Sequence, residues 1–349
     1  MNSVTIAVDL AKHVFEVAVS AQPGRITERR RMSRPQFERF WSARPPCRVV
    51  MEACAGAHFW GRRLRELGFE VTLLPPHYVR AYVRRNKTDR TDCEALLEAH
   101  RCAGIHPVAI KSEDQQALTA LHTARAQWMS TRTARINALR ALLHEYGIST
   151  PAGAAKLLGG LREILEPQRA ALPSHVLRVL HGYAEEIAQL EQRIDALEKE
   201  LEQVARQTQV IASLMQIPGV GLLTATALYA AVGNVHTFKS GRHLASWMGL
   251  TPREHSSGGR RRLGRISKQG NVYLRTLLIH GARSALLAAE RKRKAGRTLS
   301  HLEQWGLELA RQKPHNQAAV ALANKMARVL WAVWHHERRF EMQPVQKAA

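Results

Sequence analysis

Asp9, Glu52, Asp89 and Asp92 are the residues in this sequence whose types and positions point most directly to chemistry. Asp9 closes the apolar run Val4-Thr-Ile-Ala-Val-Asp9, and Glu52 closes Arg48-Val-Val-Met-Glu52. Both runs are short and β-branched, the pattern of buried strands. Asp89-Arg-Thr-Asp92 stands at an expected helix start, where three-residue spacing puts both acids on one side of the first turn. Four carboxylates delivered by two strand tips and one helix start repel one another unless a cation sits between them. Two Mg²⁺ ions suit such a set: they are hard, take oxygen ligands and complete their shells with phosphate oxygens. Each acid also has a structural reading. Asp92 favours a helix N-terminus, after Thr91 and with Glu94 in a capping box, and Asp9 suits a turn. A core does not need acids at the ends of two buried strands, so the conjunction points to a site.

A second stretch runs Gly249-Leu-Thr-Pro-Arg-Glu-His-Ser-Ser257-Gly-Gly-Arg-Arg-Arg-Leu-Gly-Arg-Ile-Ser-Lys268-Gln-Gly. Arg253, Arg260, Arg261, Arg262, Arg265 and Lys268 face a single acid, Glu254. Guanidinium forks hold phosphate oxygens and stabilise charge at a pentacoordinate phosphorus. A serine attacking phosphorus there gives a covalent ester that conserves the bond energy for rejoining. The competing reading is an arginine-rich turn that only binds RNA or DNA, with Ser256 and Ser257 as loop residues. A third stretch, Ile217-Pro-Gly-Val-Gly221, resembles the hairpin of a helix-hairpin-helix element, in which the N–H groups of Gly219 and Gly221 meet a phosphate. A plain glycine-rich turn fits it as well.

Composition agrees with a polyanionic partner. The 349 residues carry a net charge of +23, and 45% are hydrophobic, enough for a real core. No run of 18 apolar residues appears, and the N-terminal residues lack the basic start of a signal peptide. The expectation is a cytoplasmic, nucleoid-associated protein without a membrane partner. Cys47, Cys54, Cys93 and Cys102 form neither C-x-x-C pairs nor zinc spacings.

The elements that must position these residues follow from the pattern. Strands are expected at 4–9, 14–20, 25–32, 47–52 and 70–74, with helices at 35–43 and 58–67. A short basic helix at 78–85 and the Asp89/Asp92 helix to about 103 follow. Three strands, then alternating helix and strand, is the order of the ribonuclease-H-like fold. Helical periodicity covers 112–146, where Arg125, Arg132, Arg135 and Arg140 decorate the surface. Residues 147–175 read as a linker or short helical insert. Leu180, Tyr183, Ile187, Leu190, Ile194, Leu197, Leu201 and Val204 form a heptad seam, the signature of a coiled coil, against the alternative of a long helix packed on its own domain. Helices are expected at 222–231, 240–248, 272–289 and 317–339, with Arg291-Lys-Arg-Lys294 in a loop. The expected domains are a catalytic α/β domain at 1–108, a helical extension at 109–175, a coiled coil at 176–212 and a mostly helical C-terminal domain at 213–349.

Taken together, Asp9, Glu52 and Lys87-Thr-Asp89-Arg-Thr-Asp92 resemble the four-acid signature of the DEDD insertion-sequence transposases, the IS110 family. Gly249 to Gly259, followed by Arg265-Ile-Ser-Lys268-Gln-Gly-Asn-Val-Tyr-Leu-Arg275, resembles the C-terminal transposase motif of the same proteins. The resemblance spans nearly the whole chain. It implies a RuvC-like N-terminal domain whose four acids bind Mg²⁺, and Ser257 as nucleophile, with Ser256 adjacent. It further implies donor and target DNA as substrates, a guide (bridge) RNA from the same element, and a composite site in a dimer to tetramer assembled through the coiled coil. Arg80, Arg84, Arg85 and Lys87, with Arg125, Arg132 and Arg135, are the residues expected to contact RNA. The alternative activity is a RuvC-type Holliday-junction-resolving nuclease that uses the same acids to hydrolyse DNA with water.

Overall fold

The computed structural model describes residues 4–83, 89–168 and 172–341, with the side chains of Asp89 and Gln168 also outside the description. Arg84, Arg85 and Lys87 therefore lie outside the described residues. The chain divides into two compact units, Met1–Gln115 with Val232–Thr237, and Gln116–Ala231 with Phe238–Ala349.

The first unit is a five-stranded sheet between helices. In chain order its elements are β1 (Thr5–Leu10), β2 (Val14–Ser20), β3 (Glu28–Ser33), α1 (Arg34–Ser42), β4 (Arg48–Glu52), α2 (Ala57–Glu66), β5 (Glu70–Leu74), the single turn α3 (Pro76–Val79) with a 3₁₀ turn at Arg80–Tyr82, and α4 (Asp89–Arg101). Strand order is β3-β2-β1-β4-β5. The first three strands form an antiparallel meander, while β1, β4 and β5 run parallel. This is the strand order and sense expected of the ribonuclease-H-like fold.

Alternation along the strands sorts the core into two layers. Ile6, Val8, Phe15, Val17, Val49 and Met51 pack with Phe37 and Trp41 of α1 and Trp60 and Leu64 of α2. Phe15 stacks on Phe37 at 4.4 Å between centroids, and the Trp60 ring meets Phe37 edge-on at 4.8 Å. On the other face, Ala7, Ala18, Val50 and Leu74 pack with Cys93, Leu96 and Leu97 of α4. The two alanines are what let α4 lie close to the sheet. Gln115 ties in the returning segment, donating from Nε2 to the Gly233 carbonyl at 2.8 Å.

The second unit is mostly helical. It holds most of α5 (Glu113–Glu145), then α6 (Ala154–Gly159), α7 (Leu161–Leu165), α8 (Ser174–Gln207), α9 (Gln209–Leu214), α10 (Leu222–Val232), α11 (Gly241–Trp247), β6 (Pro252–Glu254), β7 (Leu263–Ile266), α12 (Val272–Lys294), α13 (His301–Gln312) and α14 (His315–His335). Of the linker or short helical insert expected at 147–175, the described residues form the insert: Leu157 of α6 and Leu161 and Leu165 of α7 are buried with side chains of α5 and α8. The basic run Arg291–Lys294 is the last turn of α12 rather than a loop, where cations face the negative end of the helix dipole.

The heptad seam on α8 is buried within the chain. Leu180 and Ile187 pack with Ile136, Leu139 and Leu143 of α5. Arg125 pairs with Glu198 at 2.6 Å, Arg132 with Glu191, and Arg135 with Glu186 at 2.6 Å. The α5 numbers rise as the α8 numbers fall, so the two helices form an antiparallel hairpin. The seam is thus covered by a helix of the same chain, and the three arginines expected to reach RNA are engaged by glutamates of α8.

The turn Ile217–Gly221 meets α12 backbone to backbone. A Cβ on Gly281 would lie 2.0 Å from the Gly219 carbonyl oxygen, and one on Gly219 would lie 2.4 Å from the Gly281 oxygen. The Cα face of Gly219 is therefore spent on packing, while Gly221, ahead of α10, is exposed. Among the described residues, no helix is long and apolar enough to cross a membrane.

Gly281→Ala is expected to destabilise the protein by at least about 2 kcal/mol, because neither backbone segment has room to retreat. Gly182→Ala on α8, where a Cβ meets open space, is expected to be neutral or to stabilise by up to about 1 kcal/mol. Urea denaturation of the two variants checks both signs.

Candidate functional site: strand-tip acids and a serine hairpin

In the parallel pairing of β1 with β4, Val8 stands opposite Met51. Asp9 and Glu52 are the next residues of each strand and so stand side by side, Glu52 ending β4 and Asp9 one residue before the end of β1. Val8 and Met51 face the α1/α2 layer, whereas Ala7 and Val50 face α4. Alternation therefore turns Asp9 and Glu52 toward α4, the helix that begins at Asp89 and carries Asp92 in its first turn. The Cys93 thiol fixes that turn, donating to the Glu16 carbonyl at 3.4 Å, and it is fully buried. Burial drives its pKa up, with a hydrogen bond to the Asp9 backbone opposing that rise. Cys54 reports the field at the strand tips. Burial raises its thiol pKa most, and the charges of Glu52 and then Asp9 raise it further. Both carboxylates therefore act on one point.

Asp9, Glu52 and Asp92 are all half-buried. Among the described residues, no three His, Cys, Asp or Glu side chains stand close enough to enclose a metal ion by themselves. An all-protein cage is not what Mg²⁺ requires: one or two carboxylates, water and substrate phosphate oxygens complete its shell. Oxygen-only donors at adjacent strand tips fit that chemistry.

The stretch around Ser257, read from the sequence as turn and loop residues, forms a β-hairpin. β6 and β7 pair antiparallel, and the ladder continues to the tip through the His255 N–H donating to the Arg262 carbonyl at 2.9 Å and the Arg260 N–H donating to the Ser257 carbonyl at 3.0 Å. Gly258 and Gly259 fill the two central turn positions with φ of 56° and 76°, a left-handed pair that two glycines adopt without strain. At the base, a Cβ on Gly249 would lie 2.1 Å from the Gln269 oxygen, and one on Gly270 would lie 1.9 Å from the Trp247 oxygen. Arg275, expected as a basic residue of the motif, is buried and donates to the Met248 and Gln269 carbonyls at 3.0 Å each. It anchors the hairpin to α12.

The two serines differ in their partners. Ser256 Oγ donates to Glu254 Oε1 at 2.6 Å and accepts from the Arg262 N–H at 3.1 Å. Among the described residues, Ser257 Oγ has no hydrogen-bond partner, and it is exposed beside the two-glycine turn. Arg253 donates to the Ser267 carbonyl at 3.1 Å, and Arg261 lies 3.7 Å from Glu254. The guanidiniums of Arg260, Arg262 and Arg265 are exposed and, among the described residues, have no carboxylate partner; Lys268 is exposed too. Sequence reasoning passed over a buried polar group behind this hairpin. His122 of α5 shares hydrogen bonds with Tyr273 Oη of α12 at 3.1 Å and Thr226 Oγ1 of α10 at 3.0 Å. Tyr273 lies two residues before Arg275, so the network braces the same end of α12. Burial, aided by Arg125, lowers the His122 pKa to about 4.

Both regions fall within segments that match known proteins. Residues 6–148 match a DEDD-type family profile described as "Transposase", and residues 211–297 match one described as "Transposase IS116/IS110/IS902 family". The chain is 40% identical over 338 residues to a "Probable family 20 transposase" of Pseudomonas aeruginosa, covering 97% of this chain and 98% of that protein. It is 39% identical to the "Transposase for insertion sequence element IS1111A" of Coxiella burnetii, over 94% of this chain and 88% of that one. It is 36% identical to the "Transposase for insertion sequence element IS1328" of Yersinia enterocolitica, over 95% and 97%.

The folded-state pKa of His122 lies below its unfolded value near 6.5, so acid favours the unfolded chain. The stability held by neutral His122 is complete above that value and is lost as pH falls toward 4. Between pH 7 and 5 the loss from this residue is about 2 kcal/mol. Urea denaturation at the two pH values is expected to show a smaller loss for His122→Gln than for the wild type by that amount.

Proposed function

The chain belongs to the IS110 family of insertion-sequence transposases, enzymes that cleave and rejoin DNA, and from that membership we propose that Ser257 is its nucleophile and that Asp9, Glu52, Asp89 and Asp92 form its metal-dependent acid site. The observation that carries the serine assignment is the contrast at the hairpin tip. Ser256 Oγ is held between Glu254 and the Arg262 backbone, while Ser257 Oγ is exposed and without a partner among the described residues.

In this reading Ser257 Oγ attacks the scissile phosphorus. An Oγ–P bond forms, the bond from phosphorus to the 3′-oxygen breaks, and the serine proton leaves to solvent or the departing oxygen. The product is a 5′-phosphoserine and a free 3′-hydroxyl. Rejoining is the reverse: a 3′-hydroxyl attacks the phosphoserine and returns the serine, with no need for a nucleotide cofactor. Arg260, Arg262 and Arg265 hold the non-bridging oxygens as charge builds on them. The two-glycine turn keeps other side chains away from the path of the attacking Oγ. Asp9 and Glu52, with Asp92 and Asp89, are suited to hold Mg²⁺, which when bound supplies Lewis-acid stabilisation of phosphate charge.

The reading includes a guide RNA from the chain's own element, supported by the net charge of +23 beyond what the hairpin uses. Arg80 is an exposed contact for it. A self-pairing oligomer built through the α8 seam would require α5 to leave it.

The test is a covalent adduct. Purified protein with its RNA, Mg²⁺ and labelled donor and target DNA is denatured, and label is sought at protein size. The adduct is expected for wild type, and at least about 1000-fold less for Ser257→Ala and Asp9→Ala. Ser256→Ala is expected to keep it at a reduced level, since it loosens the tip. DNA cut equally by wild type and Ser257→Ala, with no adduct, would assign the chain to hydrolysis in the manner of a RuvC-type resolvase.

A further inference from the structure

The row of cross-strand neighbours that starts at Asp9 ends in an arginine. Asp9 stands opposite Glu16 in the pairing of β1 with β2, and Glu16 stands opposite Arg31 in the pairing of β2 with β3. Directly opposed residues share a face of the sheet, so Arg31 lies on the side of Asp9 and Glu52. Contacts with α4 fix that face. Arg29, two residues earlier on β3 and so on the same side, pairs with Glu94 of α4 and donates to the Arg90 carbonyl at 3.3 Å. Beyond burial, the charges of Asp9 and Glu16 both raise the pKa of the Cys93 thiol, so Glu16 faces α4 as Asp9 does. Arg30, between the two, faces the other way and pairs with Glu28. Arg29 is thus spent on holding α4, and Arg31 is left open. It is exposed, and among the described residues its guanidinium has no partner, although Glu16 is its direct cross-strand neighbour.

We propose that Arg31 binds a backbone phosphate of the DNA strand whose scissile phosphate lies at Asp9 and Glu52. The register sets the distance. Strands about 4.8 Å apart place the Cα of Arg31 about 10 Å from that of Asp9. A DNA strand rises about 3.4 Å per nucleotide, so the phosphate held by Arg31 lies within about three nucleotides of the one being cut. Charge supplies the reason. A strand brought to Asp9 and carried across the sheet passes Glu16, and both acids repel its phosphates. Arg31 is the cation at the end of that row, with its planar fork open to non-bridging oxygens. A contact of this kind reads no base: it fixes which phosphate stands over the acids. DNA is the substrate that the family's activity supplies. The proposal rests on the acid-site reading and not on the serine assignment.

The test walks one uncharged methylphosphonate along a labelled duplex carrying an end of the element, with affinity for the full-length protein and its RNA read by gel shift. The scissile phosphate is mapped from the wild-type cleavage product with Mg²⁺. Wild type is expected to lose about fivefold in affinity at a phosphate within about three nucleotides of the scissile one. Arg31→Ala is expected to bind unmodified DNA about fivefold more weakly and to lose nothing further from that modification. Its slope of log affinity against log salt is expected to flatten by about 0.9. Arg31→Lys is expected to restore most of that slope, and Arg30→Ala, on the opposite face, to keep the wild-type interference pattern. Three results would overturn the proposal: Arg31→Ala keeping the wild-type loss at every phosphate, Arg30→Ala erasing the same position, or the erased position lying farther from the scissile phosphate. Undiminished cleavage by Asp9→Asn/Glu52→Gln would overturn the acid-site reading, and this proposal with it, a result that the interference pattern alone cannot produce.

Discussion

The parallel pairing of β1 with β4 is the constraint around which the first unit is arranged. It brings Asp9 and Glu52 to the same level on neighbouring strands, and alternation points both carboxylates to one face. Half-buried like charges raise each other's energy unless something positive answers them. The positive N-terminal end of α4 is directed at that face, brought in by Ala7, Ala18 and the buried Cys93. The same helix carries Asp92 in its first turn. In the proposed metal-dependent site, a divalent cation and phosphate oxygens offset the charge that these acids bring together.

The serine hairpin solves a different problem, holding an exposed hydroxyl still without a core around it. Pro252–Glu254 and Leu263–Ile266 bury almost nothing, so the strands contribute little packing. Order comes from the two ends instead. Gly249 and Gly270 permit backbone contacts at the base that no side chain would allow, and Arg275 anchors the base through two carbonyls. At the tip, Ser256 links Glu254 to the Arg262 backbone across the turn. Neighbouring serines thereby differ: Ser256 Oγ is held in hydrogen bonds, while Ser257 Oγ is exposed, as the proposed nucleophile requires.

These differences explain what could be read in advance. The sheet was legible because its strands are apolar, β-branched and punctuated by Gly, Pro or an acid, and the same runs expose Asp9 and Glu52 at their ends. The hairpin was not, because Pro-Arg-Glu and Leu-Gly-Arg-Ile show no alternation and their pairing depends on Gly249 and Arg275, far from the tip. The seam from Leu180 to Leu201 identified the buried face of α8, but periodicity carries no information about which helix covers it. Charge had the same ambiguity: Arg125, Arg132 and Arg135 look solvent-directed until Glu198, Glu191 and Glu186 are placed beside them. The helix α13 was passed over although Ser300-x-x-Glu303 is a capping box, with the Ser300 N–H donating to Glu303 Oε2 at 2.8 Å. His122 gave no signal at all, since its partners Thr226 and Tyr273 are more than a hundred residues away.

The convergence of the acids is most directly tested by thermal denaturation with and without Mg²⁺, comparing wild type with Asp9→Asn/Glu52→Gln. Both substitutions keep shape and remove charge. The account predicts that Mg²⁺ raises the melting temperature of wild type but not of the variant. An equal Mg²⁺ shift in both proteins, or none in either, would contradict a shared site at the tips of β1 and β4.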